Sequence, residues 1–372
     1  LLLLGAERAR GEPEAARALW LAHLLTFASF SAAFVLFSAI GRLTGARFAA
    51  PLRPLAESAI GSVVLAPAGA LLFGLAGGFA LIPPRPDLGS WLVPPMVTAR
   101  TVLGLALLAL AGVAYVRASI RADAAVAGGS LPAAGVARAE SRAARLAGLY
   151  TAVYLVVQTG LAFDLVMALF PYFRSALLGA HLAMTSFAAG VAGVVVLARL
   201  GEGPRLPGPA AAVRAARGSP SELRIGDLGA FLAVVVLLGS YLALAQLLPI
   251  WYGNLRNEVL PLALLRAGSP WQRTARYAFL LGGLAPLGLL LVVRGFLPRS
   301  CRGLTGLAAV ALLVVIGVWL ERVLLVVGPL VPGGPHPWRV AGISMAAGFV
   351  ALHLGLSRYV RLRRAAELGS EL

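Results

Sequence analysis

Apolar residues run along this chain in blocks rather than in short alternations. Arg, Pro and Gly punctuate the blocks, and several reach the roughly 20 residues that a helix needs to cross a bilayer. Nine such runs are readable, near 19–40, 57–82, 97–116, 146–168, 175–197, 226–248, 277–293, 304–327 and 340–356. Nothing in the pattern suggests strands. The expectation is an all-α integral membrane protein, a single polytopic domain over 1–372 with about nine transmembrane helices. Two long links, 117–145 and 201–225, are rich in Ala, Gly, Pro and Arg and read as mobile or surface-lying segments without chemistry. Pro67, Pro249, Pro261 and Pro286 fall in or beside spans, where they bend or end helices.

Composition agrees with this reading. Hydrophobic residues make up 59% of the chain and charged residues only 13%, which excludes an ordinary pair of soluble domains of the same length. The chain opens on Leu1 to Leu4 rather than Met, and these leucines read as the tail of a helix cut short, so about ten helices are expected if one precedes them.

Charge then supplies orientation. The formal net charge is +17, and every basic residue is Arg. The arginines gather in alternate connections: Arg42, Arg47 and Arg53, then Arg117 to Arg145, Arg199 to Arg224, Arg294 to Arg302, and Arg358 to Arg364. These hold about twice as many as the opposite set, which the positive-inside rule assigns to the cytoplasm together with the C-terminus. The localisation expected is a bacterial inner membrane. Trp20, Trp91, Trp251, Trp271 and Trp338 all fall at the other, outer ends and suggest an aromatic belt. The same apolar composition argues that the positive charge serves topology and not nucleic-acid binding. Cys301 is the one cysteine, so the chain has neither a disulfide of its own nor a thiolate set for an iron–sulfur cluster.

Helix direction gives each polar residue a depth, at about 1.5 Å per residue. His23 and Arg100 lie early in inward-running spans, and His181 lies early in the fifth. Asp164, Gln246, Glu321 and Arg322 lie late in outward-running ones. Seven ionisable or amide side chains thus share the outer third, whereas Glu57, Asp227 and His353 fall near the inner face. Intramembrane charges are expensive and mark pathways or sites, so Glu321 and Arg322, adjacent inside one apolar run, are the leading candidates. Two readings stand for them: a static ion pair, or a proton-relay or ligand-orienting group. Neighbouring helix positions point about 100° apart, which predicts that the two pair with different helices rather than with each other. Arg100 and Asp164 can equally be snorkelling to the interface. Tyr150, Tyr154 and Gln158 form a stripe on the fourth span, and His181 with Thr185 an i, i+4 pair; each either extends a hydrogen-bonded path or bridges helices. His23 and His181 could sandwich a haem, against the simpler reading of helix-packing histidines.

One stretch carries a more specific signal. From Ile225-Gly-Asp-Leu-Gly through Tyr241 and Gln246 to Leu248-Pro-Ile-Trp-Tyr-Gly-Asn-Leu-Arg-Asn-Glu258, the sequence resembles the signature helix of NrfD-type quinone subunits, above all the ActF subunit of alternative complex III. Ala162-Phe-Asp-Leu-Val-Met-Ala-Leu-Phe-Pro171 is similar to a second segment of that family. Gly41 to Glu57 and the Arg100 helix also fit, while Trp319-Leu-Glu-Arg322 looks more like the ActC and NrfD branch. The chain departs from the family pattern at Phe170 and at Arg256 and Asn257, where acidic residues or Pro are replaced.

The resemblance implies two four-helix bundles plus a peripheral helix in a quinol-oxidising complex, beside an iron–sulfur subunit, c-type cytochrome subunits and a paralogous NrfD-type membrane subunit. It implies a quinone or quinol ligand, menaquinone or ubiquinone, with no haem or iron–sulfur cluster on this chain. The site expected is a quinone pocket or proton path built from Asp164, His181, Gln246, Glu321, Arg322, Tyr241, His23 and Arg100. Two other functions fit the same residues: a proton-coupled secondary transporter, and a non-catalytic membrane anchor of a redox complex.

Overall fold

In a computed structural model the residues described are 13–46, 48–85, 88–128, 132–170, 173–202, 225–254, 268–295, 303–331, 333 and 339–370. Leu1 to Leu4, Pro171, Arg256, Asn257, Glu258, Pro261, Cys301 and Trp338 lie outside them, as does most of the 201–225 link. Among the described residues there is no strand, and nine helices are long and apolar enough to cross a membrane. That outcome follows from the solvent: without water to bond exposed N–H and C=O groups, an apolar segment satisfies its backbone internally, as a helix does.

The helices are α1 (Pro13–Leu43), α2 (Ile60–Leu75), α3 (Pro94–Gly128), α4 (Ala133–Leu165), α5 (Leu178–Leu197) and α6 (Ile225–Gly253). They are followed by α7, α8 (Leu304–Val327) and α9 (Arg339–Ser370). α7 comes in three pieces, Gln272–Phe279, a wide π turn Leu280–Leu284, and Ala285–Gly295. Pro286 sits just past the π turn. It has no N–H to give the carbonyl four residues back, and the wider turn absorbs that missing bond. A short helix, Arg53–Glu57, leads into α2. α2 ends where Gly77 adopts φ +71°, a left-handed conformation that terminates helices readily in glycine.

α1, α2, α3 and α4 pack in a closed ring, α1 against both α2 and α4 and α3 between them. α5, α6, α7 and α8 close a second ring. The rings meet where α1 lies against α5 and α8 and α4 lies against α5, so the central seam is α1 with α5. Their apolar stretches are each 78% buried, whereas that of α9 is 11% buried and rests on the outside of the first ring. Small residues permit the close seam: a Cβ on Gly190 would stand 2.5 Å from that of Ala33.

Two expectations are corrected. The 117–145 link is helical almost throughout, because α3 runs on to Gly128 and α4 begins at Ala133. Ala and Arg are strong helix formers, so the helices run on past the point where hydropathy falls. Trp271 is not part of an interfacial belt. It is 1% exposed, and its indole N–H donates to the Val331 carbonyl at 2.8 Å, whereas Trp91 and Trp251 are exposed.

Candidate functional site

His181 sits in the first turn of α5 and Glu321 with Arg322 in the last two turns of α8, which brings all three to the end of the molecule opposite the arginine-rich connections. His181 Nε2 donates to Glu321 Oε1 at 2.5 Å. Glu321 Oε2 accepts from the Arg322 guanidinium at 2.7 Å. Arg322 is completely buried, and its other terminal nitrogen donates to the Leu182 carbonyl (3.1 Å), Thr185 Oγ1 (2.7 Å) and Ser186 Oγ (3.1 Å). The Thr185 hydroxyl itself donates a hydrogen bond to the His181 carbonyl at 2.9 Å. The pair therefore reaches one helix, α5, and the two residues also bond each other. Their side chains are long enough to span the angle between adjacent positions, which corrects the expectation of separate partners.

The arrangement has a buried end and a more open one. Glu321 is 20% exposed at its side chain, His181 6% and Arg322 0%. Arg322 supplies the positive charge that a carboxylate in an apolar layer needs. With Nε2 donating, His181 Nδ1 is an acceptor in the neutral ring, and it is buried without a partner; Arg322 Nε is likewise unpartnered. The group can accept a proton, at the histidine or the carboxylate, and can take one further hydrogen bond at Nδ1.

The remaining candidates do not join this cluster. Arg100 and Asp164 form a forked pair, Nε to Oδ2 at 2.8 Å and the terminal nitrogen to Oδ1 at 3.1 Å, tying α3 to α4. Arg100 also donates to the Trp91 carbonyl at 2.7 Å and lies 4.1 Å from the centre of its ring. Gln246 accepts from Ser175 Oγ at 3.0 Å and donates to the Leu242 carbonyl at 3.1 Å. His23 donates through Nδ1 to the Leu19 carbonyl (2.7 Å) and accepts at Nε2 from the Trp319 indole (3.1 Å). Both its ring nitrogens are thus taken, as in a packing histidine. Tyr241 is 61% exposed on α6 and faces away from the rest. The single polar wall expected from depth alone is instead several separate groups, because depth fixes level but not azimuth.

The tyrosine stripe bridges helices. Tyr150 donates to the Ala32 carbonyl (2.8 Å), Tyr154 to the Ala183 carbonyl (2.9 Å), and Gln158 Oε1 accepts from Ser29 (3.0 Å), fastening α4 to α1 and α5. Gln158 Nε2 remains buried without a partner.

A second buried network, not anticipated from the sequence, occupies the arginine-rich end of the first ring. Glu57, 1% exposed, accepts from Ser38 (2.8 Å) and Ser119 (2.5 Å), and Ser38 is bonded to the Tyr115 hydroxyl at 2.7 Å. Arg42 bonds Glu140 (2.7 Å), Asp123 (2.9 Å) and Ser119 Oγ (2.8 Å), and Arg53 reaches Asp123 at 3.4 Å. Its signal was present as helical spacing: Ser38 with Arg42, Arg53 with Glu57, and Tyr115, Ser119 and Asp123 each stand four apart. Ser119, Asp123 and Glu140 lie in the 117–145 segment, whose composition resembles that of a surface link.

Among the described residues no three His, Cys, Asp or Glu side chains gather as a metal site. Comparison with protein-family models and with curated proteins finds no match to this chain. The fold and the geometry together define a polytopic α-helical protein of membrane type that holds, among the described residues, a buried ionic network toward each end.

Proposed function

We propose that this chain is an integral-membrane subunit of a quinol-oxidising respiratory electron-transfer complex of the alternative complex III type. It would lie in a bacterial inner membrane with the arginine-rich end and the C-terminus in the cytoplasm. The observation that carries the reading is the His181–Glu321–Arg322 cluster, a proton acceptor inside an apolar layer whose carboxylate is its most open part. The NrfD-type resemblance, centred on Asp227 to Glu258, supports the substrate class and the partners: an iron–sulfur subunit, c-type cytochromes and a paralogous membrane subunit.

Oxidation of a quinol releases two electrons and two protons. Electrons leave to a partner subunit. The residues here fit the other half of that task. His181 Nδ1 accepts the proton of a hydroxyl as Nε2 passes its own to Glu321, and Arg322 offsets the carboxylate charge until that proton arrives. Thr185 and Ser186 hold the guanidinium in place.

Two measurements test this. Purification of the tagged protein from its native membrane in mild detergent is expected to bring c-haem absorption and iron–sulfur paramagnetic signals with it. A colourless protein stable alone would sink the reading and favour a proton-coupled transporter. Within the intact complex, Glu321→Gln is expected to lower quinol-driven turnover roughly a hundredfold while leaving assembly unchanged. Unchanged turnover would leave the cluster a structural ion pair and the chain a membrane anchor.

A further inference from the structure

A cleft of about 670 Å³ opens between α3 and α4 at the arginine-rich end, lined by Arg117, Arg121, Arg142 and Arg145 with Ala114, Ala118 and Leu146 as its apolar part. All four arginines are exposed, and none makes a hydrogen bond or ion pair among the described residues. The acids of the same helical hairpin point the other way: Asp123 and Glu140 are bonded to Arg42. The hairpin has therefore sorted its charges, with the carboxylates turned to the core and four guanidiniums left around one cavity.

Exposed apolar side chains follow the cleft residues along both helices. On α3, Leu103, Leu107, Leu110, Ala114, Arg117 and Arg121 follow one helical stripe, and the three leucines are 68%, 51% and 70% exposed. On α4, Arg142, Arg145, Leu149 and Val156 follow another, with Leu149 52% and Val156 71% exposed. Two parallel stripes thus pass from exposed aliphatic surface, at the depth of acyl chains, to unpaired arginines at the level of head groups. That sequence of surfaces is complementary to an anionic phospholipid, and a basic pocket between membrane helices is the recognised physical form of such a site.

We propose that the α3–α4 cleft binds a phospholipid carrying two phosphodiester groups, the head group held by Arg117, Arg121, Arg142 and Arg145 and the acyl chains lying on the leucine stripe. Four guanidiniums exceed what a single phosphodiester can engage, and arginine pairs two-pronged with phosphate oxygens. The inference does not depend on quinol chemistry, since the cleft opens on the outer face of the first ring while His181 and Glu321 belong to the second.

The test is native mass spectrometry of the full-length chain, purified in a delipidating detergent and titrated separately with cardiolipin, phosphatidylglycerol, phosphatidylcholine and inorganic pyrophosphate. One equivalent of cardiolipin is expected to bind at least tenfold more tightly than phosphatidylglycerol. Each basic residue beside an anionic lipid contributes roughly fivefold in affinity. Both R117Q/R121Q and R142Q/R145Q should therefore weaken cardiolipin binding by roughly tenfold to thirtyfold and the quadruple variant by at least about a hundredfold. Arg358→Gln, an exposed arginine on α9, should leave it unchanged. The two double variants keep the test open if the quadruple variant does not fold. Equal binding by wild type and variants, equal uptake of the three lipids, or tight uptake of pyrophosphate in place of lipid would each overturn the proposal.

Discussion

Arg322 and Arg100 are both paired with a carboxylate, yet they should behave differently when removed. Arg322 is fully buried, and four acceptors from α5 and Glu321 converge on it; Arg100 is 27% exposed at its side chain and partly stacked on Trp91. Breaking a buried pair leaves an uncompensated charge, at a cost of about 3–5 kcal/mol, whereas a partly exposed pair is worth about 1 kcal/mol or less. Arg322→Met should therefore lower the thermal unfolding temperature in detergent much more than Arg100→Met. The double variant E321L/R322M should recover part of the loss, because no lone charge then remains. Equal effects of the two single variants would refute this ranking. Glu321, Arg322 and His181 were legible in the sequence because an ionisable group inside an apolar run stands out. Ser186 and Trp319 were not: a hydroxyl or an indole in a membrane helix carries no charge, and its partner is set by the neighbouring helix. In the sequence Arg42 and Arg53 stand among the loop charges that set topology, yet the fold buries both beside Asp123.

At the scale of helices, the span positions were readable because an apolar run of this length leaves the backbone one economical solution. What lay beyond the sequence was where helices continue outside the apolar layer and how closely they cross. The hairpin of α3 and α4 shows the first: hydropathy falls at Arg117, but helix propensity does not. The crossing of α7 and α8 shows the second. Gly317 faces the backbone of Leu281 and Gly282 so closely that a Cβ there would collide with main-chain atoms, which cannot swing aside as a side chain can. The π turn Leu280–Leu284 brings that backbone up to α8. Gly317→Leu is expected to force the two helices apart and, with Glu321 and Arg322 just over one turn further along α8, to misplace the cluster. Gly148, where nothing lies within 4 Å of an added Cβ, supplies the control. Gly148→Ala should match the wild type in thermal unfolding and in the size-exclusion profile, while Gly317→Leu should unfold at a clearly lower temperature. Tolerance of leucine at 317 would mean that the crossing is looser than described.

The whole molecule keeps its two kinds of charge in different places. Arginines crowd the connections at one end, and the networks around Glu57 and around Glu321 are enclosed by helices of the first and second ring respectively. Enclosed charges are matched by partners, so they contribute little to orientation, whereas the exposed arginines around the α3–α4 cleft remain to interact with an anionic leaflet. Orientation should then depend on the exposed arginines alone. In a Cys301→Ser background, a cysteine replacing exposed Arg138 near the start of α4 should react with a membrane-impermeant maleimide only after the cells are opened. A cysteine replacing exposed Leu88, between α2 and α3 at the opposite end, should react in intact cells. The reverse pattern would place the arginine-rich end outside, and with it the cleft, leaving His181 and Glu321 at the cytoplasmic side. A proton accepted at Glu321 would then be released on the wrong face for an outward-delivering quinol oxidase, so this one labelling experiment also constrains the direction in which the buried cluster can work.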